Sequence, residues 1–176
     1  GEGRPLGNIV DYFWRIEFQQ RGSPHVHMLL WVEGGPELSS LSDGVIPAQL
    51  REYVDRVVSA KLSPDVSDVD LSKVMHPCTM RAPVHELSCP IAQTHVAVLT
   101  RCVQTHRCNK YCKPKGRYST CRFGYPRTNN ENTSVERVFR NGKTKLVVSP
   151  ARNDSHVNAY NPSILSCWGA NMDVQV

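Results

Sequence analysis

Histidine, cysteine and carboxylate side chains fall into groups whose spacing suits cation binding. The first lies in the run RGSPHVHMLLWV (21–32), where His25 and His27 flank a valine. On a strand, residues two apart share a face, with side-chain bases about 6–7 Å apart. Two imidazoles so placed converge on one ion from one side. Neutral imidazole suits Mn, Zn, Ni or Fe, and a mixed nitrogen–oxygen site accepts Mg or Mn. If the chain turns across Gln20 to Ser23, Glu17 and Gln19 lie opposite the histidines on the same face. Glu17 is the better third ligand because it is charged. It also sits among Trp14, Ile16 and Phe18, where a carboxylate calls for a cation. The alternative is a half-exposed strand whose polar face happens to carry these residues.

The second group is His106-x-Cys108-x3-Cys112 followed by Cys121. Four soft ligands in a short, basic, loop-rich span are what a tetrahedral structural zinc requires; the alternative is buried or spare thiols. Cys102, one helical turn before His106, is a rival ligand. A looser set, His76, Cys78, His85 and Cys89, admits a second zinc, although Pro77, Pro83 and Pro90 read equally as a plain loop. His95 reads as a packed helix residue and Cys167, beside Trp168, as core. Around the second group, Lys110, Lys113, Lys115, Arg117, Arg122 and Arg127 interleave with Tyr111, Tyr118, Phe123 and Tyr125. Cations that follow phosphates and rings that stack on bases are the mix used by single-strand nucleic-acid binders, though Phe123 could instead be core. Arg15 and Arg21, near the histidines, are within reach of a phosphate. Each of these reads otherwise as solvated basic surface.

The elements that must position these residues follow from periodicity. NIVDYFWRIEFQQ (8–20) alternates as a strand, and HVHMLLWVEG (25–34) reads as a buried second strand paired antiparallel to it. PAQLREYVDRVVSAKL (47–62) carries Leu50, Tyr53, Val54, Val57 and Val58 at helical spacing. DVSDVDLSKVMHPC (65–78) reads as loop and short helix, and IAQTHVAVLTRCV (91–103) as a helix. ERVFRNGKTKLVV (136–148) is a hairpin about Asn141-Gly142. NPSILSCWGANM (161–172) is a short helix after Pro162, and DVQV begins a further strand. The order predicts an α+β fold with a largely antiparallel sheet, one domain over 1–176 with a helical and zinc-loop insert at 76–127.

The net charge of +5 favours a polyanionic partner. Seven cysteines, an odd number, and an opening GEGRPLGNIV without an apolar signal region point to a reduced, intracellular chain. The longest apolar runs are too short to cross a bilayer, so no membrane partner is expected.

The run YFWRIEFQQRGSPHVHMLLWVEG resembles the N-terminal core of the Rep domain of Helitron transposons, in which E-F-Q-x-R-G-x-P-H-x-H is followed by apolar residues. Further on, CRFGYP (121–126) is similar to the family's C-R-F-x-F-P. ARNDSHVNAYNPSILSCWGANMDVQV (151–176) is similar to its R-N-D…N-x-H-N-P…W-x-A-N-x-D. The family's loop reads H-x-H-x3-C…C-R-F, so Cys108 stands for a histidine.

The resemblance implies an HUH endonuclease: a central antiparallel sheet flanked by helices, Mg or Mn on His25 and His27, and an inserted Cys/His zinc loop. It implies nicking and joining of single-stranded DNA in rolling-circle transposition. A tyrosine attacks phosphorus, leaving a 5′-phosphotyrosine and a free 3′-OH. It further implies a nuclear setting and a helicase in the same parent chain; no G-x-x-x-x-G-K-[ST] loop is present here. The family's nucleophile lies on a helix after the last strand, which places it beyond Val176. Tyr160 is the remaining candidate, so this chain is expected to lack cleavage chemistry. The alternative is a non-catalytic, zinc-containing nucleic-acid-binding module, a decayed or repurposed transposon domain.

Overall fold

Alternating side chains make IVDYFWRIEF the strand β1 (Ile9–Phe18), which pairs antiparallel with β2 (Pro24–Val32). The computed structural model describes residues 4–18, 24–36, 48–63, 75, 87–112, 120–140 and 142–176. The chain divides into two units, 1–43 and 44–176. In the first, the register sets Trp14 against Met28, Arg15 against His27, Ile16 against Val26 and Glu17 against His25. Opposed residues of an antiparallel pair share a face. Arg15, Glu17, His25 and His27 therefore stand on one side of the ribbon, and Trp14, Ile16, Val26 and Met28 on the other. The expected burial of these strands is not found: Trp14 is 54% and Phe18 73% exposed. A two-stranded ribbon has no second layer of its own to cover either face.

In the second unit, α1 (Ala48–Val57) buries Leu50, Val54 and Val57, one stripe of the predicted helix. It ends five residues earlier than the periodicity suggests because the backbone turns to extended pairing. The Ser59 N–H donates to the Tyr160 carbonyl at 2.7 Å and the Tyr160 N–H to the Ser59 carbonyl at 2.8 Å. The next helix, α2 (Pro90–Leu99), starts on a proline, whose fixed φ suits the first helical position. It runs directly into a π-helical turn at Thr100–Gln104.

Two further strands, β3 (Ser134–Arg140) and β4 (Lys143–Ser149), form the predicted hairpin, with Gly142 at φ 74° in the connection. The last helix, α3 (Pro162–Trp168), is capped by Asn161, whose side chain accepts from the Ile164 N–H. Val96 and Leu99 of α2 meet Val157, Tyr160 and Leu165 in the main core cluster, with Leu62, Leu87, Val103 and Met172 packed around it.

The α+β class holds, but the described residues form two separate two-stranded antiparallel sheets where one central sheet was expected. The strand expected at DVQV does not form. The Val174 N–H donates to the Ala159 carbonyl at 3.1 Å, yet the pairing cannot propagate. Tyr160 spends its backbone groups on Ser59, and the chain then enters α3. Cys167 is exposed, not core, because α3 turns Leu165 and Ser166 inward and leaves Cys167 and Trp168 outside. Among the described residues no helix is long and apolar enough to cross a membrane.

Candidate metal centre

Three elements bring His106, Cys108, Cys112 and Cys121 together. The π-helical turn delivers the chain to Thr105, which bridges to Val157, and the His106 N–H donates to the His156 carbonyl at 2.7 Å. His106 thus starts its loop from a fixed edge. The loop folds back within six residues: the Asn109 N–H donates to Cys112 Sγ at 3.1 Å. The Arg122 N–H then donates to the Cys112 carbonyl at 3.0 Å, which sets Cys121 beside Cys112. At Gly124 the backbone takes φ 75°, a conformation cheap only for glycine, and its N–H closes a turn onto the Cys121 carbonyl.

One ligand atom from each of the four residues lies within 4.8 Å of the others. His106 Nε2 is 3.5 Å from Cys108 Sγ and 3.3 Å from Cys121 Sγ. A zinc with ordinary Zn–N and Zn–S bonds in a tetrahedron separates such atoms by about 3.5 Å. The donor set and its spacing therefore fit zinc. Among the described residues this is the one group of three or more His, Cys, Asp or Glu side chains so gathered.

The surroundings favour a metal-ready histidine. Burial, then the nearby His156 and Arg127, push the His106 imidazole below its ordinary value, so it is neutral near pH 7. Burial raises the Cys108 thiol, helped by the Cys121 and Cys112 thiols. Burial also acts to raise Cys121, but backbone N–H groups of Tyr125 and Phe123, with the Cys108 and Cys112 thiols, outweigh it, and the net shift is downward. Metal binding must displace thiol protons.

Residues outside the four-ligand set pack around it. The Tyr125 ring stacks on the His106 ring, centroids 4.2 Å apart and planes 14° apart. Its hydroxyl donates to Asn158 Oδ1 at 2.8 Å. His156 lies parallel to Tyr125 on a longer spacing, and Ser155 contacts its Nδ1. Tyr125 is thus buried, not the surface stacking ring that charge interleaving suggested. Phe123 is exposed, so it is not core; it meets His106 edge-on and carries the Arg122 guanidinium over its face at 4.6 Å. The Arg127 guanidinium lies 4.7 Å over Tyr125 and the Lys110 ammonium 5.3 Å over Tyr111.

On the hairpin, His27 Nε2 lies 3.0 Å from Glu17 Oε2, and the Arg15 guanidinium pairs with Glu17 Oε1. The cation that the Glu17 carboxylate calls for is supplied within the chain, by Arg15 and, when protonated, His27. His25 shares this face through its register with Glu17, but the three ligand candidates do not gather as tightly as the Cys/His group. An exposed ion pair of this kind contributes only about 0–1 kcal/mol.

Tyr160 is buried, and its hydroxyl donates to the Lys61 carbonyl at 2.9 Å. Cys102 is half-buried and outside the Cys/His group. His95 is buried as expected, with Nε2 lacking a hydrogen-bond partner among the described residues. The candidates Gln19, Arg21, His76, Cys78, His85, Lys113, Lys115, Arg117 and Tyr118, and the short helix expected within 65–78, lie outside the described residues apart from Met75. Cys89 of the looser set is the residue that caps α2, without a side-chain capping bond.

Residues 2–30 match the family model of the Helitron helicase-like domain at N-terminus. The matched stretch contains β1 and most of β2, including Arg15, Glu17, His25 and His27. No curated protein and no solved structure matches the chain.

Proposed function

We propose that this chain is the single-stranded DNA nicking and joining domain of a Helitron-type rolling-circle transposon. In this reading it works in the nucleus on transposon ends, beside a helicase in the same parent chain. The observation that carries it is the register of the matched hairpin, which stands His25, His27, Glu17 and Arg15 on one face. His25 and His27 offer neutral nitrogen, Glu17 the charge that anchors a divalent cation, and Arg15 a guanidinium for a phosphate oxygen. Mg or Mn bound there would supply Lewis acidity to the scissile phosphodiester. Zinc on His106, Cys108, Cys112 and Cys121 would tie the two flanks of the basic stretch together. The nucleophilic tyrosine in this reading lies beyond Val176.

A second reading is a non-catalytic zinc module that binds nucleic acid. The pairs Arg122–Phe123 and Lys110–Tyr111, exposed rings each with a cation over the face, favour it.

The test is incubation of this chain, and of its longer parent protein, with end-labelled single-stranded DNA and Mn, read for a covalent adduct on a denaturing gel. Alanine at His25 and His27 is expected to abolish Mn binding and leave DNA affinity within about twofold, since phosphate contacts set most of that affinity. An adduct from the parent alone supports the nuclease. No adduct from either, with DNA binding retained, puts the zinc module in its place.

A further inference from the structure

The segment Met172–Val174 belongs to no helix or strand, yet its backbone is held from three sides. Gln104, 1% exposed, clamps Met172 with both ends of its amide: Oε1 accepts from the Met172 N–H at 2.9 Å and Nε2 donates to the Met172 carbonyl at 3.3 Å. Asn158 Nδ2 donates to the same carbonyl at 2.8 Å. The Val174 N–H donates to the Ala159 carbonyl. Both clamps lead back to the Cys/His centre. Gln104 stands two residues before His106 and accepts the Asn158 N–H on its own carbonyl at 2.8 Å. Asn158 accepts the hydroxyl proton of Tyr125, whose ring is stacked on the His106 imidazole.

The polarity of this relay is fixed by its ends. The Met172 carbonyl can only accept, so Asn158 must turn its NH2 towards it and its oxygen towards Tyr125. Tyr125 must then donate. Its ring plane is set by the imidazole it covers, and an imidazole bound through Nε2 to a metal loses the freedom to rotate.

We propose that Tyr125 is a positioning residue through which metal occupancy at His106, Cys108, Cys112 and Cys121 locks the Met172–Val174 strap in place. The inference rests on the reading of that cluster as a metal centre. Metal fixes the His106 ring, the stack fixes Tyr125, and the hydroxyl fixes Asn158 and the Met172 carbonyl. Without metal the strap keeps Gln104 but loses the constraint arriving through Tyr125.

The experiment uses the whole chain, metal-free and loaded. Co2+ reports binding by its visible absorption, and amide hydrogen exchange reports the strap. Zinc is expected to slow exchange at the Met172 and Val174 amides by about tenfold, within the usual range for coupled sites. Tyr125→Phe keeps the ring and loses the hydroxyl. It is expected to keep the Co2+ spectrum and to lose most of the zinc-induced protection. Three results overturn the proposal: metal binds the native chain with the strap unchanged; Tyr125→Phe gains the same protection as the native chain; or its loss of protection is equal with and without metal, which marks a plain packing role. Absence of any Co2+ spectrum overturns the metal reading itself, and the relay with it.

Discussion

Cys108 is the most informative single residue of the candidate metal centre. Its thiol is pushed up by burial and by its two cysteine neighbours, whereas His106 is pushed down. Below the thiol pKa, a metal must expel the Cys108 proton, so affinity falls as pH falls; the His106 proton interferes only further into acid. Cys108→His puts a histidine where the resembling family carries one, and an imidazole near pKa 6.5 is mostly unprotonated at pH 7–8.5. The expected outcome is a retained site whose log affinity for zinc rises less steeply with pH, by about one unit of slope over that range. Competition with a chromophoric chelator at several pH values measures it. An unchanged slope removes Cys108 from the ligand set. For the metal-free fold, the depressed His106 works in the same direction. The unfolded chain binds the extra proton first, so stability declines as pH drops below about 6.5, and urea titration at pH 7.5 and 5.5 should show this.

Among the elements, α3 depends on a residue with two tasks. Asn161, 2% exposed, accepts the Ile164 N–H as the helix cap and donates through Nδ2 to the Val57 carbonyl at the end of α1. Asn161→Ala strips a cap and orphans a buried carbonyl, at a cost of about 2–3 kcal/mol. Asn161→Asp keeps the cap and faces a carboxylate towards the Val57 carbonyl, so it should recover little. Denaturant midpoints at constant slope decide both. Gly142 offers a cleaner contrast, since a Cβ there meets nothing within 4 Å and its φ of 74° is the whole obstacle; Gly142→Ala is expected to cost about 1 kcal/mol. These elements were legible in the sequence where a period or a punctuating residue writes them. Alternation marked β1 and β2, Asn141-Gly142 marked the second hairpin, and Pro162 marked α3. The four metal-site residues were legible because three lie within one short loop and all share soft-ligand chemistry. The roles of Tyr125, Asn158 and Gln104 were not, because these residues, far apart in sequence, meet through single hydrogen bonds beside the isolated Thr105–Val157 bridge, which leave no periodic trace. Burial of the first hairpin was misread for a related reason: alternation says which residues share a face, not whether another layer lies over it.

At the scale of the whole molecule, charge separates the two units. Residues 1–43 hold three basic and six acidic side chains, and residues 44–176 hold eighteen and ten, a net of −3 against +8. Between Glu86 and Glu131 there is no acidic residue at all. The unit with the Glu17 and histidine face is thus the one that draws cations, and the unit with the Cys/His centre is the one that draws a polyanion. In the proposed function, single-stranded DNA held by the second unit would release counterions from every phosphate neutralised, so the log of the affinity should fall with log salt by about 0.7 per contact. Arg122→Ala, which removes one exposed cation over Phe123, is expected to weaken binding of a short oligonucleotide and to flatten that slope by about 0.7. Arg15→Ala, on the acidic unit, is expected to flatten the slope by less, because the Glu17 carboxylate already pairs with that guanidinium. Fluorescence anisotropy between low and moderate salt gives both. If Arg15→Ala flattens the slope and Arg122→Ala does not, the nucleic acid is held by the hairpin, and the basic face beside the metal centre has some other role.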